Sequence, residues 1–419
     1  MIFLRKKPEL LAPAGNFEKM KAAILYGADA VYLAGGAFGM RAAADNFTNE
    51  EITAAVGYAH ARGVRVYVTV NTMPRTCEYP ALRAYIAFLA STGVDALIVS
   101  DLGVLSLVRQ IAPKLDIHIS TQASSVSVAD VRAWRALGAR RVVLARELTL
   151  AEVTEICAGK DGDTEIECFI HGAMCVSYSG RCLLSNYFTG RDSNRGACAQ
   201  PCRWNYRALE VVEEKRPDAP LRLYEDADGT FIMSSRDMCM IEHIPDLAES
   251  GVTSLKIEGR MKSAYYTAVV TNTYRMALDR YFADPAAYKF DPAWMRELCS
   301  VSHRDYDTGY WYGSPSENAC VCENAGYIRE KAYIATACGY DAAAGRATFV
   351  QRNKVSEGDP CELISPGRVG QPLDALDLRD EAGEKIESAP HPAMVFSMRV
   401  PFEVFPGDIL RGGEPKTDN

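Results

Sequence analysis

From residue 9 to residue 282, short apolar runs rich in β-branched residues alternate with stretches whose apolar positions recur at helical spacing. The runs ELLA (9–12), DAVYL (29–33), VRVYVTV (64–70), DALIVS (95–100), DIHIST (116–121), RRVVLA (140–145), EIECFI (165–170) and TSLKIEG (253–259) predict strands. Between most of them FEKMKAAILYG, TNEEITAAVGYAHARG, YPALRAYIAFLASTG, VSVADVRAWRALG and TLAEVTEICAG predict helices. Several of these end at glycine, and Thr48 and Thr149, with acidic residues close behind, predict N-caps. Strands separated by amphipathic helices call for a parallel sheet covered by helices. Eight such strands, with no Gly-x-Gly-x-x-Gly turn after the first, predict an α/β fold of the (β/α)8 TIM-like barrel type. The doubly wound sheet is the alternative.

The rhythm breaks between strands seven and eight. Residues 171 to 252 occupy a place where one loop and one helix suffice, and in a barrel such an insertion leaves the C-terminal mouth, where active sites lie. A long helix is predicted at 262–282. Beyond it, residues 322 to 413 show short strands separated by Gly, Pro and Asp turns, which predicts a small antiparallel β-barrel or sandwich. The expected domains are therefore a barrel over 1–315, with its insertion at 171–252, and a C-terminal β-barrel over 322–413.

Bulk composition changes the picture in three ways. Hydrophobic residues make up 48% of the 419 positions, ample for a large core. The opening MIFLRKKPELLAPAG turns charged too soon for a signal peptide, and no run approaches the roughly 20 apolar residues of a membrane span, so a cytoplasmic protein without membrane contact is expected. In that compartment thiols stay reduced, which argues against a disulfide scaffold for the 13 cysteines. The net charge of −8 exerts no global pull toward nucleic acid, although a local basic surface still can.

Seven of those cysteines lie between 157 and 239, and five fall within ECFIHGAMCVSYSGRCLLSNYFTGRDSNRGACAQPCRW. Cys175, Cys182, Cys198 and Cys202 stand among glycine, serine and arginine, where a packed core would place leucine or valine. Their steps of seven, sixteen and four match neither zinc-ribbon knuckles nor a ferredoxin run, so ligands would come from separate loops. Glycines 172, 180, 190 and 196 permit tight turns around a bound group. The leading reading is metal or Fe–S binding; free or redox thiols and a disulfide are the alternatives. Cys157, Cys299 and Cys338 fit helix or strand patterns as small core residues, and Cys320 and Cys322 form an isolated C-x-C.

Polar residues cluster at the predicted strand ends. Ser120, Thr121 and Gln122 follow strand five, Arg146 and Glu147 strand six, His171 strand seven, and Glu258, Arg260 and Lys262 strand eight. One rim carrying all of them could grip an anionic carboxylated substrate and move a proton; His171, Arg146, Glu147, Glu258 and Arg260 are the catalytic candidates. Structural ion pairs bracing the mouth are the bland alternative. Serine-elbow, zinc-protease, Walker and kinase signatures are lacking, which weakens a protease reading. From His171 to Arg207 five arginines face one aspartate and are interleaved with Tyr178, Tyr187, Phe188, Trp204 and Tyr206, a composition suited to unstacked bases and phosphates.

The pieces ELLAPAGNFEKMKAAILYGADAVYLAG, FGMRAAADNF, STQASS and LARELTL, the cysteine segment, and SSRDMCMIEHIPDLAESGVTSLKIEGRMKS resemble the peptidase U32 family of collagenase-like proteins. They cover most of residues 9 to 275 and are most similar to the branch that hydroxylates tRNA. The resemblance implies a barrel-related catalytic domain, a 4Fe-4S cluster, and oxygen-independent formation of 5-hydroxyuridine at the tRNA wobble position. It implies prephenate, a small dicarboxylate, as the hydroxyl-donor cosubstrate; tRNA and an electron donor protein are the expected partners. By the same resemblance Cys175, Cys182 and Cys198 match the first three cluster ligands and Cys239 the fourth, with Cys202 as the competing fourth. A collagenase-type peptidase, and a non-catalytic RNA-binding or zinc-stabilised protein, are the alternatives.

Overall fold

The computed structural model describes residues 6–41, 45–175, 177–204, 224–226, 229–231, 235–313 and 327–412. Tyr206, Arg207, Cys320 and Cys322 lie outside the described residues. The eight expected barrel strands are present: β1 Glu9–Pro13, β2 Ala30–Leu33, β3 Arg65–Val70, β4 Ala96–Val99, β5 Asp116–Ile119, β6 Arg141–Val143, β7 Glu165–Ala173 and β8 Ser254–Ile257. Each pairs in parallel with its neighbour, and β8 pairs with both β7 (Ser254 opposite Glu167) and β1 (Ser254 opposite Glu9), closing the barrel. These strands read as nearly continuous apolar runs because helices cover the outside while side chains fill the inside.

The helices start where side chains can accept the first free backbone N–H groups. In α1 (Asn49–His60) Thr48 accepts from Glu51 N at 3.1 Å, and the Glu51 carboxylate accepts from Thr48 N at 2.9 Å. Thr149 and Glu152 repeat this box at α2 (Leu150–Gly159). Asp101 caps Leu102–Ile111 and Ser127 caps Val128–Ala136. Each such cap stabilises its helix by about 1 kcal/mol.

Inside the barrel, Leu11, Ala30, Tyr32, Tyr67, Ala96 and Ile98 form an apolar cluster. Toward the strand starts it gives way to a buried belt of charge. Arg141 donates to Glu9 at 2.6 Å, to Glu167 at 2.9 Å and to Glu165 at 2.6 Å. Lys256 donates to Glu167 at 2.8 Å, and Tyr67 Oη to Glu9 at 2.7 Å. Buried ions of this kind carry a desolvation penalty comparable to their attraction, so the belt fixes a unique arrangement more than it adds stability. His118 faces this interior, its ring edge-on to Tyr67 at 4.6 Å.

The insertion begins from β7, which runs to Ala173. A short strand, Asp237–Cys239, returns antiparallel to it, with Met238 opposite Gly172 and Cys239 opposite His171. Between them the described residues form a short helix, Leu184–Thr189, two 3-10 turns, and an antiparallel pair, Tyr224–Asp226 with Gly229–Phe231.

By contacts the chain divides into two discontinuous units: 1–20, 28–262 and 303–327 form one, and 21–27, 263–302 and 328–419 the other. The helix Ala264–Ala283 and the segment to 302, assigned by sequence to the barrel domain, thus group with the C-terminal strands. Those strands form a seven-stranded antiparallel sheet whose two edges, Gln371–Asp374 and Leu376–Asp380, are joined through the fully buried Ala375, so the sheet curls back on itself. Phe349 and Phe396 stack in its core at 5.6 Å. In the same unit Arg411 donates to Glu297 and Glu362, each at 2.7 Å, and to Ser300 Oγ at 2.7 Å. Cys338 is exposed on its strand rather than a core residue, and Cys157 and Cys299 are half-buried. No helix among the described residues is long and apolar enough to cross a membrane.

Candidate functional site

A cavity of about 130 Å³ opens at the C-terminal ends of the barrel strands. Tyr32, Thr69 and Phe169 on β2, β3 and β7 form its floor with Lys256 on β8, while Asn71 and Ser120–Gln122 extend its wall beyond β3 and β5. Arg41, Arg146, Glu258 and Arg260 bring charge to the rim, and the insertion closes the remaining side with Cys175, Ser179, Cys182 and Cys198.

The insertion is held over the mouth by direct contacts. Arg195 donates to both oxygens of Glu78, at 2.9 and 3.0 Å, and to the Met73 carbonyl at 2.7 Å. The Arg195 hydrogen bonds, helped by the Arg75 N–H, hold the Glu78 carboxyl down at about 2. Gly180 has φ +77°, and a Cβ there would lie 2.2 Å from Gln122 Oε1. At Gly172, with φ +103°, a Cβ would lie 2.4 Å from the Glu258 carbonyl oxygen, so only glycine lets β7 and the end of β8 approach this closely.

Arg146 ties the barrel to the cysteines. It donates to the Ala173 carbonyl at 2.8 Å, to Ser179 Oγ at 2.7 Å and to Cys175 Sγ at 3.4 Å, and its guanidinium lies 5.0 Å from the Phe169 ring centre. Burial alone would raise the Cys175 thiol, but Arg146, Arg41 and Arg203 together bring it below its usual range. Such a setting favours the thiolate, the form that ligates iron or zinc.

Cys202 belongs to the same group. Its thiol is raised first by burial, against the pull of Arg203, and then by the nearby Cys175, Cys198 and Cys182 sulfurs. Cys239 is buried on its strand opposite His171, at the same end of the barrel, but is not among the side chains that line the cavity. Among the described residues no three Cys, His, Asp or Glu side chains are gathered tightly enough for a single metal ion. Soft sulfurs facing one cavity form a donor set of the kind that iron–sulfur clusters and structural zinc both take.

The anionic and cationic rim residues are arranged unequally. Glu258 lies 3.4 Å from Arg41 and 3.3 Å from Tyr32 Oη. Burial pushes its carboxyl up, but Arg41, Arg146, Arg260 and Lys256 bring it below its usual range, so it stays ionised. Arg260 is only 4% exposed; its Nη2 donates to the Met40 carbonyl, whereas its buried Nη1 has no hydrogen-bond partner. Lys256 bridges the cavity and the belt, 4.4 Å above the Tyr32 ring and bonded to Glu167.

Of the residues expected from the sequence, Arg146, Glu258, Arg260, Cys175, Cys182 and Cys198 come together on one cavity. His171 and Glu147 do not line it. His171 is buried against Tyr306, with ring centres 5.2 Å apart, and burial holds it down at about 3, so it is neutral. Glu147 is half-buried and raised by that burial. Lys262 is also off the wall, 3.7 Å from the Tyr327 ring. Arg41 and Lys256 escape a reading by strand ends: one lies in a loop without such a signal, the other in the middle of an apolar strand.

The sequence profile of peptidase family U32 matches residues 15–320, and that of the peptidase family U32 C-terminal domain matches residues 329–411. The chain is 39% identical to the tRNA hydroxylation protein P1 of Bacillus subtilis, over 98% of this chain and 96% of that protein. It is 35% identical to the tRNA hydroxylation protein P of Escherichia coli, over 94% of each. A Porphyromonas gingivalis protein named collagenase is 32% identical over 85% of this chain and 86% of its own length. A solved U32 peptidase matches with 17% identity and a TM-score of 0.40, covering 60% of this chain and 93% of that one.

Proposed function

This chain belongs to peptidase family U32, and from that membership and the cavity chemistry we propose that it is a cytoplasmic tRNA hydroxylase that forms 5-hydroxyuridine at the wobble uridine. The observation that carries the reading is the opening of Cys175, Cys182 and Cys198 into the same cavity as the arginine rim. Full-length likeness to proteins named for tRNA hydroxylation supports it.

Cys175, Cys182 and Cys198, which share the cavity, would hold a 4Fe-4S cluster, with Cys239, the fourth ligand that the family resemblance implies, completing the set. When bound, the cluster supplies thiolate-held iron for one-electron chemistry. The chain's own residues do the rest. Arg146 orients Cys175 and the Ser179 turn through its hydrogen bonds. Glu258, kept ionised, is the group on the wall able to accept the proton lost from the uracil ring. Arg260, with its unpartnered buried Nη1, and Arg41 provide the sites for carboxylates of a small hydroxylated acid of the prephenate type.

Hydroxylation at C5 replaces a C–H bond by a C–O bond and removes two electrons from the base. An acid R–OH that becomes R–H supplies the oxygen atom and takes up both electrons, so the exchange balances without dioxygen. An electron donor protein would then serve only to bring the cluster to its working oxidation state.

The test is mass spectrometry of tRNA nucleosides from a strain lacking the gene, complemented with the native chain or with Cys175→Ser. Loss of 5-hydroxyuridine, restored only by the native chain, supports the proposal; unchanged levels refute it. Anaerobically purified protein is expected to be brown and to hold about four irons per chain, and Cys202→Ser is expected to retain them while Cys239→Ser is not. The likeness to a protein named collagenase raises a peptidase reading, but among the described residues the cavity wall carries no histidine to activate a thiol.

A further inference from the structure

Large apolar side chains are ordinarily exposed singly, yet one short part of the insertion exposes five: Tyr178, Leu183, Tyr187, Phe188 and Trp204. Tyr187 is 82% exposed and Leu183 74%, so packing does not account for their size. The rings form a connected group, with Tyr187 and Phe188 centred 5.4 Å apart and Phe188 and Trp204 6.3 Å apart. The Trp204 indole N–H donates to the Ala199 carbonyl at 3.1 Å, which fixes that ring against its own loop. Tyr178 belongs both to this exposed set and to the cavity wall, so the segment that carries the rings borders the cavity at that residue.

Charge separates the candidate occupants. The whole chain carries −8, but residues 177–204 hold four arginines and a single aspartate. Arg195 is engaged by Glu78, and Asp192 is taken by Asn186 at 2.6 Å and by Arg75 at 3.9 Å. Arg181 and Arg191, a few residues along the chain from Tyr187 and Phe188, stay exposed. A purely apolar face would suit another protein surface. Flat rings beside uncommitted guanidinium groups suit a polyanion with exposed π-faces, which is single-stranded nucleic acid.

We infer that this face is a stacking platform for unpaired RNA nucleotides, with Tyr187, Phe188 and Trp204 taking bases and Arg181 and Arg191 the backbone. The inference rests on the tRNA reading and gives it a location: nucleotides flanking the target base lie on the insertion while the target enters the cavity past Tyr178. The rings contribute stacking area and the arginines contribute salt dependence, so the two can be measured separately.

The experiment is fluorescence anisotropy with the full chain and two labelled probes, an unstructured uridine-rich oligoribonucleotide and a tRNA transcript. Tyr187→Ala/Trp204→Ala is expected to weaken both probes about tenfold or more with the salt slope unchanged. Tyr187→Phe/Trp204→Phe is expected to restore most of the affinity, which a folding defect would not allow. Arg181→Gln/Arg191→Gln is expected to flatten the dependence of log K on log salt by about 0.7 for each phosphate left unneutralised. Leu137→Ala, an exposed apolar residue elsewhere in the same unit, is the control and is expected to change nothing. Native affinity in the double alanine variant overturns the inference, as does equal weakening of a fully duplex RNA probe. The hydroxylase reading is tested apart from this: the platform stands if binding falls as described while 5-hydroxyuridine proves independent of the gene, and it falls if the nucleoside is lost with the gene while RNA affinity ignores the rings.

Discussion

Arg260 shows how one side chain can be legible by place and illegible by role. Its position just past an apolar strand marks it for the rim, and it is there; that one nitrogen donates to a carbonyl while another is buried without a partner required the folded loop at Met40. An unsatisfied buried guanidinium nitrogen is costly unless a ligand completes it. Arg260→Gln is therefore expected to raise the concentration of small acid needed for half-maximal hydroxylation by about ten- to a hundredfold with tRNA affinity unchanged; equal loss of both would mean the residue merely holds the mouth together. Arg146 is the opposite case. Its donors are committed to Ala173, Ser179 and Cys175, so it works as a tether for the cysteine loop and only secondarily as an anion site. His171 is marked by its strand end, yet a strand end has two faces, and this ring lies on Tyr306.

At the scale of elements, the eight strands and the capped helices follow from local pattern because period, glycine stops and Thr-x-x-Glu caps all act within a few residues. The charge belt does not, since Glu9, Arg141, Glu167 and Lys256 come from four strands and meet only after closure. Arg141→Met leaves Glu9 and Glu167 without their shared guanidinium and is expected to lower stability by about 3–5 kcal/mol, readable as a lower urea midpoint. His118 on β5 gives a second test. Burial and then Arg141 and Lys256 hold it well below its usual range, so it is neutral in the fold and protonates only on unfolding. Below about pH 6.5 the unfolded chain binds the extra proton, and stability is expected to fall by about 1.4 kcal/mol per pH unit from this residue. Urea titrations at successive pH values should show a shallower acid slope for His118→Gln; an identical slope would assign the loss to other groups.

For the molecule as a whole, the boundary between units departs from a cut at a linker. Residues 263–302 cluster with the C-terminal strands, and Arg411 in the last strand finds Glu297 and Ser300 there. Sequence composition places a boundary where residue types change, whereas the fold places it where buried partners end. A fragment of residues 328–412 keeps only the Glu362 partner, so it is expected to be less stable than a fragment of residues 263–412 by about 2 kcal/mol or more, as measured by chemical denaturation. Equal midpoints would show that the helices are dispensable to the sheet.

The belt of paired charges has a kinetic consequence for the barrel. It fills the interior below the cavity, and Lys256, bonded to Glu167, is where floor and belt join. With that end filled, the acid and the RNA of the proposed function would share as doorway the mouth that Tyr178 borders. A small acid would have to enter first and its spent form leave last, because an RNA seated at that doorway blocks passage. Turnover on the proposed function is then ordered, and excess tRNA bound before the acid acts as its own inhibitor.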